Sequence, residues 1–238
     1  MNALLLLLLD SRAPSGAHHH SGGMEAAVAT GLVTDLTGLE GFCRAKLRTS
    51  ARVGAAFAAA ASRLQSLDPE RTGLGALQER WALLDAEFEA RTPSEATRAA
   101  SRQIGGGLLR LLRSALPKAD LVTPWTRCRG PAPHHPLVLG AGVALAGGAP
   151  ELAARAAALA ACAGPASAAV RLLGLDPFAV QAMLARLAPG IDECAAAAAQ
   201  CAAQCAAQPP PSLPAGGAPA LDLLADYHLT TEVRLFAS

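Results

Sequence analysis

The sequence predicts an all-α fold: a single helical-bundle domain of roughly eight to ten helices with a flexible C-terminal tail. Alanine and leucine dominate the 238 residues, whereas isoleucine and tyrosine are scarce. Unbranched side chains lose little rotamer freedom in a helix, so this composition favours helices over strands. Apolar residues also recur at helical spacing, and no alternating strand pattern of useful length precedes the last residues.

The first predicted element is the leucine run from Leu4 to Leu9. No basic residue precedes it, and Asp10 and Arg12 follow directly, which is unlike a signal peptide. The run is interpreted as a helix buried on all sides. No apolar stretch approaches the ~20 residues that cross a bilayer. We therefore expect no membrane partner and a cytoplasmic location.

Later helix starts are marked by hydroxyl residues and prolines. Thr37 with Glu40, and Thr92 with Glu95, fit the capping box, in which a hydroxyl and a carboxylate bind orphan backbone N–H groups. Prolines suit a first helical position. They are predicted to mark helix starts at Pro69, Pro150, Pro165 and Pro177.

Between these starts the apolar spacing is helical. A stripe from Leu74 to Phe88 advances by three and four residues, and another from 39 to 64 lines the preceding helix. A third helix, 96–115, contains three consecutive glycines at 105–107, each costing ~1 kcal/mol relative to alanine. Close approach of another backbone would compensate, and an internal crossing is favoured over a subunit contact. Gly140 and Gly142 are likewise assigned to close helix packing.

Two proline-rich segments divide the chain. Residues 117–135 are predicted to form a long surface loop that exposes the pair His134 and His135. Residues 1–208 then form the helical domain, and 209–219 form a linker. The apolar segment 220–238 is predicted to be a tail that docks on a partner.

Six cysteines are spread through the chain, with no sign of a secreted disulfide framework, so reduced thiols are expected. Cys194, Cys201 and Cys205 fall on one helix face. A soft metal could use them, although zinc sites usually need closely spaced pairs and a second ligand segment. Packing as small apolar residues is the favoured interpretation.

Several function classes lack their sequence signals. The formal net charge is +1 and aromatic residues make up 3%, so no nucleic-acid partner is expected. The chain has no P-loop, no H-E-x-x-H and no G-x-S-x-G motif. Nothing in the chain therefore indicates a hydrolase or an oxidoreductase.

The segment APSGAHHHSGGMEAA, residues 13–27, holds three consecutive histidines. An engineered tag is disfavoured, because the histidines are internal and a helix start follows at once. Ser21 can cap that helix, and Glu25 lies in its first turn, where the dipole favours a carboxylate. His18 and His20 could both reach one nickel, copper or zinc ion, yet two or three adjacent histidines do not close a metal site.

This segment resembles the N-terminal signature of the urease accessory protein F family, which follows an apolar helix with P-x-G-G, an aromatic or histidine, and S-x-G-[LM]-E. Ala17 stands where the family has its second glycine, and His18 where phenylalanine is frequent. Two further segments, S-R-Q-I-G and G-P-A-S-A-A-V-R-L-L-G-L-D-P, resemble the second and third markers, the latter without the more widespread P-L-G-Q continuation. The ending V-R-L-F-A-S resembles the alanine-rich, actinobacterial-like branch. The matching residues are Pro14, Gly16, His20, Ser21, Gly23, Met24, Glu25, Arg102, Gln103, Gly105, Arg171, Arg234 and Phe236.

The resemblance implies an all-α chaperone or adaptor for urease maturation by GTP-dependent nickel insertion. It implies a dimer that bridges accessory protein D (also called H) and the GTPase G, modulates that GTPase, and serves apo-urease. Nickel would be in transit, with no permanently bound cofactor. The loop then shapes the backbone, and nickel ligation by His18 and His20 is an optional addition.

Two other functions stay open at this stage. One is a nickel store or sensor that uses the loop with His18 and His20 together with Cys194, Cys201 and Cys205. The other is a helical interaction module of another pathway. Tight, stoichiometric nickel binding by the isolated protein would distinguish the store from the adaptor.

Overall fold

The computed structural model describes residues 2–10, 12–117, 131–204, 212–229 and 235–236. Within these ranges the chain forms eleven α-helices, one 3-10 helix and no strand, so the all-α prediction is confirmed. Two helices, α2 and α5, are six residues long or shorter. In chain order the helices are α1 (Ala3–Leu9), α2 (Met24–Ala29), α3 (Leu36–Arg48), α4 (Ser50–Gln65), α5 (Pro69–Thr72), α6 (Leu74–Ala90), α7 (Glu95–Ala115), α8 (His135–Leu145), α9 (Pro150–Leu173), α10 (Pro177–Gln204) and α11 (Pro219–Leu229).

The core is built around α4, which packs against α8, α9 and α10. Phe57 and a run of alanines from Ala55 to Ala59 are completely buried on α4. At Gly140 of α8, an added Cβ would overlap the carbonyl oxygen of Ala58. Small residues therefore let these two helices approach closely, as the sequence predicted for Gly140.

Helix starts agree with the sequence where proline marks them at Asp68–Pro69, Ala149–Pro150 and Pro177. The two capping boxes are displaced. Asp35 caps α3 by accepting the N–H of Gly38 at 2.8 Å, and Ser94 caps α7. An aspartate or serine two residues away serves equally well as a cap. The sequence therefore predicted a capped helix start in each region correctly, but assigned the cap to the wrong residue.

Two predicted boundaries differ from the structure. The helix expected over 39–64 is two helices that meet at Thr49. Pro165, expected to start a helix, lies inside α9 and is buried. A Cβ on Gly22 would lie 3.2 Å from the Cγ of Pro165. Pro165 therefore packs closely against the loop between α1 and α2, which we call the N-terminal loop. Tertiary packing there outweighs the local cost of a proline in a helix.

The prediction that α1 is buried on all sides is wrong. Leu5 and Leu8 are buried, whereas Leu6 and Leu7 are 56% and 66% exposed. The helix packs by one face beside the end of α8, where the Asn2 amide donates to the Ala146 carbonyl at 2.7 Å. A helix that contacts the bundle on one side buries only the leucines on that face.

Helix α9 is long and apolar enough to cross a membrane by length and composition alone. The expectation that no apolar stretch approaches that length is therefore wrong. Core helices of soluble proteins pass the same test. This one packs against α2, α3, α4, α8 and α10, and its alanines at 153, 154 and 158 are completely buried.

The backbone of neighbouring segments packs closely against two glycines of α7. An added Cβ at Gly105 would overlap the carbonyl oxygen of Pro133, and one at Gly107 would overlap the carbonyl oxygen of Ser15. The predicted internal crossing is therefore present at both positions. Helix α7 consequently supports the N-terminal loop and the segment that leads into α8.

The C-terminal region packs on the bundle within the described residues. Helix α11 lies against α2 and α7. Within the predicted linker, Leu213 is buried, whereas residues 209–211 lie outside the described part of the chain. The Asp226 carboxylate accepts the Ser94 hydroxyl at 2.6 Å and the Ala96 N–H at 3.0 Å, which anchors α11 at the start of α7.

Candidate interaction site

The N-terminal loop is shaped by its backbone. Ser15 N–H donates to the Ala13 carbonyl at 2.7 Å, which closes a tight turn around Pro14. Gly16 and Gly23 have φ values of 84° and 89°, in the left-handed region that favours glycine. These glycines flank the 3-10 turn Ala17–His19 and the start of α2. The loop conformation therefore depends on glycine at these two positions.

The three histidines do not point to one place. His18 and His19 are exposed, with ring centroids 3.9 Å apart, whereas His20 is buried. Burial lowers the pKa of His20, and the neighbouring His19 and His18 lower it further, so this imidazole is held neutral. Among the residues that the structure describes, no group of three or more His, Cys, Asp or Glu side chains could hold a metal ion.

Ser21 and Glu25 organise the start of α2. Ser21 is completely buried and its Oγ accepts the Glu25 N–H at 3.2 Å. The Glu25 carboxylate in turn accepts two tail N–H groups, from Leu235 at 2.7 Å and from Phe236 at 3.0 Å. Gly23, and not Ser21, holds the N-cap position of α2, but Ser21 still binds an N–H in the first turn, and Glu25 in that turn binds the C-terminal tail.

Phe236 completes this junction between the loop and the tail. Its side chain is only 6% exposed, and the Arg171 guanidinium lies 4.6 Å from the ring centroid in a cation–π contact. Three residues that the family resemblance singled out, Glu25, Arg171 and Phe236, therefore meet at one place. We call this set the Glu25 junction. Arg234, also singled out, lies outside the described residues.

The second marker lies in a separate polar network between α6, α7 and the segment before α8. Arg102 donates to Asp85 at 3.0 Å, to Glu89 at 2.5 Å, and to the Ala132 carbonyl at 2.7 Å. Burial acts to raise the pKa of Glu89, but the bonds from Arg102 and His134 outweigh it and the pKa is lowered. Arg102 thus joins three segments.

His134 belongs to the same network, and the prediction that it forms an exposed pair with His135 is wrong. His134 is completely buried; its Nε2 lies 2.7 Å from Glu89 Oε2 and its Nδ1 lies 3.1 Å from Ser101 Oγ. Burial lowers its pKa below the usual range. Its partners are 33 and 45 residues away in sequence, so no local pattern indicated them.

The remaining predicted residues take simpler positions. Gln103 is exposed beside Arg102. On α10, Cys194 is buried and Cys201 is partly buried, consistent with packing as small apolar residues. Cys205 lies outside the described residues.

A cavity of about 280 Å³ lies beneath α11 and the N-terminal loop. His20, Lys46, His135 and Asp222 contribute its polar wall, and the small residues Gly22 and Gly164 leave it space. Burial lowers the pKa of His135 to about 4, so its imidazole is neutral at physiological pH.

Comparison with known proteins agrees with the markers. A model of the UreF family matches residues 33–188. The urease accessory protein UreF of Mycolicibacterium vanbaalenii is 44% identical over 238 residues, which cover 99% of this chain and 98% of that protein. The urease accessory proteins UreF of Mycobacterium sp. strain JLS and Mycobacterium marinum are 42% and 41% identical, each over at least 97% of both chains.

The described residues form an all-α protein in which the polar groups of the site join chain segments to one another. The class of protein comes from the matches: the relatives are urease accessory proteins. The chain belongs to the UreF family.

Proposed function

We propose that this chain is a non-catalytic adaptor in urease maturation. It bridges accessory protein D (H) and the GTPase G, works as a homodimer in the cytoplasm, and modulates GTP hydrolysis by its partner during delivery of nickel to apo-urease. The observation that carries the proposal is relatedness to urease accessory proteins along almost the whole chain.

The surface at the C-terminal region suits an adaptor. Leu223 and Tyr227 on α11, and Leu235 beside Glu25, are all more than half exposed. Exposed apolar side chains around a polar junction are typical of protein-binding surfaces. The Glu25 junction holds Leu235 in a fixed position, because both its own N–H and that of Phe236 are bound.

Nickel is treated as cargo in this proposal. His18 and His19 are accessible at the surface, and the neutral His20 faces the cavity. A passage needs only weak, transient ligands, whereas a store needs a closed set. Equilibrium dialysis of the isolated chain distinguishes the two: an adaptor shows weak, substoichiometric binding, and tight one-to-one binding would favour the store.

Deletion of residues 220–238 tests the docking role of the tail. The helical core keeps α4, α8, α9 and α10, so circular dichroism should report a folded protein. Pull-down with the D and G proteins should then lose assembly. Normal recruitment of both partners by the truncated chain would show that the tail is not the docking element.

A second experiment tests the adaptor role itself. The purified chain lacks a phosphate-binding loop, so it should show no GTP turnover alone. Urease should become active when apo-urease, nickel, GTP, D, G and this chain are combined, and stay inactive when this chain is omitted. Equal activation without it would overturn the proposal.

A further inference from the structure

Two buried thiols face each other where α3 packs on α9. Cys43 Sγ lies 3.9 Å from the carbonyl oxygen of Cys162, and Cys162 Sγ lies 3.9 Å from the carbonyl oxygen of Cys43. Both residues are completely buried. Each sulfur therefore reaches the main chain of the other residue, which requires the close backbone approach that an S–S bond also requires.

The two thiols are chemically different. Contact with the Cys43 thiol lowers the pKa of Cys162; burial opposes this shift, and the nearby Lys46 ammonium adds to it. The same thiol contact and burial raise the pKa of Cys43. Cys162 is thus the sulfur that more readily becomes a thiolate, and Cys43 is the adjacent thiol that can resolve an oxidised Cys162.

A cavity lies next to the two helices that carry this pair. Its wall includes Lys46, which is one helical turn after Cys43, and Ala161, which precedes Cys162. A volume of about 280 Å³ exceeds the size of a peroxide molecule many times over. Neither cysteine lines the cavity, but a small neutral oxidant in it lies beside their neighbours in the chain.

We propose that Cys43 and Cys162 form a site of reversible oxidation that closes to a disulfide when hydrogen peroxide enters the cavity. The Cys162 thiolate attacks one peroxide oxygen, the O–O bond breaks, and the leaving hydroxide takes a proton to become water. Cys43 then attacks the resulting sulfenic sulfur, the S–S bond forms, and the S–O bond breaks to release a second water with the Cys43 proton. Two thiols are oxidised and one peroxide is reduced to two waters.

The disulfide would join the two supports of the N-terminal loop. From α3, Lys46 Nζ donates to the Gly22 carbonyl at 3.1 Å. From α9, Pro165 packs against the same Gly22. Oxidation would therefore fix both contacts of Gly22 relative to each other, and the site is independent of which partners the protein binds.

The test uses the purified full-length chain, reduced and then treated with hydrogen peroxide in equimolar to tenfold amounts. We expect the six thiols to fall by two, with recovery after dithiothreitol. Non-reducing peptide mapping should recover a peptide that links Cys43 to Cys162. Cys201→Ala, which removes a partly buried thiol elsewhere, should leave this link unchanged.

Two single variants identify the roles of the thiols. Cys43→Ser, which keeps a hydroxyl donor beside Cys162, should accumulate a sulfenic acid at Cys162 that dimedone traps. Cys162→Ala should give little trapping at Cys43. Serine and alanine are small enough for these buried positions, and circular dichroism checks the fold. Loss of thiols without the Cys43–Cys162 peptide, or full retention of all thiols at tenfold peroxide, would overturn the proposal.

Discussion

Replacing Glu25 with alanine should release the C-terminal tail while the bundle stays folded. The Glu25 carboxylate accepts the N–H groups of Leu235 and Phe236. The Phe236 ring also lies against the Arg171 guanidinium, so the two bonds hold a buried ring in place. Without the carboxylate, both N–H groups lose these bonds.

The magnitude follows from these contacts. Hydrogen bonds to a charged acceptor contribute about 1.5–3 kcal/mol each, and partial exposure of this pair brings the estimate to about 1 kcal/mol per bond. Losing both makes opening of the tail easier by about 2 kcal/mol, which is roughly a 30-fold increase in the open population. Burial of Phe236, worth about 1.5–3 kcal/mol before ordering costs, keeps part of the docked population.

Hydrogen–deuterium exchange of the C-terminal peptide measures this opening directly. Glu25→Ala should speed exchange at 235 and 236 by roughly 30-fold. Glu25→Gln, which keeps a neutral acceptor, should give a smaller increase. Glu70→Ala alters an exposed carboxylate in the first turn of α5 and should have no effect on the tail. Unchanged exchange in Glu25→Ala, with an intact circular dichroism spectrum, would refute the assigned role of the carboxylate.

Three further outcomes are expected. Gly16→Val forces a β-branched residue into a left-handed conformation at a cost of about 1–2 kcal/mol, so it should reduce urease activation in cells more than His18→Ala; the reverse order would favour a metal site. Arg102→Ala removes the cation that Asp85 and Glu89 share, while Glu89 keeps its ion pair with Arg98, so the free energy of unfolding in urea titrations should fall by about 2 kcal/mol. The neighbouring exposed Gln103→Ala should change it by less than about 0.5 kcal/mol, and equal effects would contradict the network. The folded pKa of His135 lies near 4, below its unfolded value of 6.5, so its stabilising contribution is full above pH 6.5 and is lost as pH falls to about 4. The free energy of unfolding falls by up to about 3 kcal/mol over this range. His135→Phe should reduce this acid sensitivity when urea titrations at pH 7 and pH 5 are compared.

Local chemistry in the sequence predicted much of the fold. Pro69, Pro150 and Pro177 mark helix starts because a missing N–H costs nothing there. The glycines of α7 indicated a close crossing because nothing local explains three of them in a helix. Such signals require no knowledge of distant residues.

Features that depend on distant partners were not predictable in this way. Pro165 sits within α9 because Gly22, far away in sequence, makes room for its ring. His134 is buried because Glu89 on α6 and Ser101 on α7 each form a hydrogen bond with one of its ring nitrogens. The Glu25 junction is an intermediate case: the family resemblance singled out its residues, but only the structure brings them together.

The sequence separation across the Glu25 junction has a consequence for the order of folding. Glu25 and Phe236 are 211 residues apart, so closing this contact in an unfolded chain carries a large entropic cost. We expect packing of α4 with α8 and α9 to shorten this path first, so that the tail closes on a nearly finished surface. In that order of events the bundle forms while the Glu25 carboxylate is still unbound by the tail. A partner that arrives during this interval would meet a free carboxylate, which the tail occupies in the finished structure.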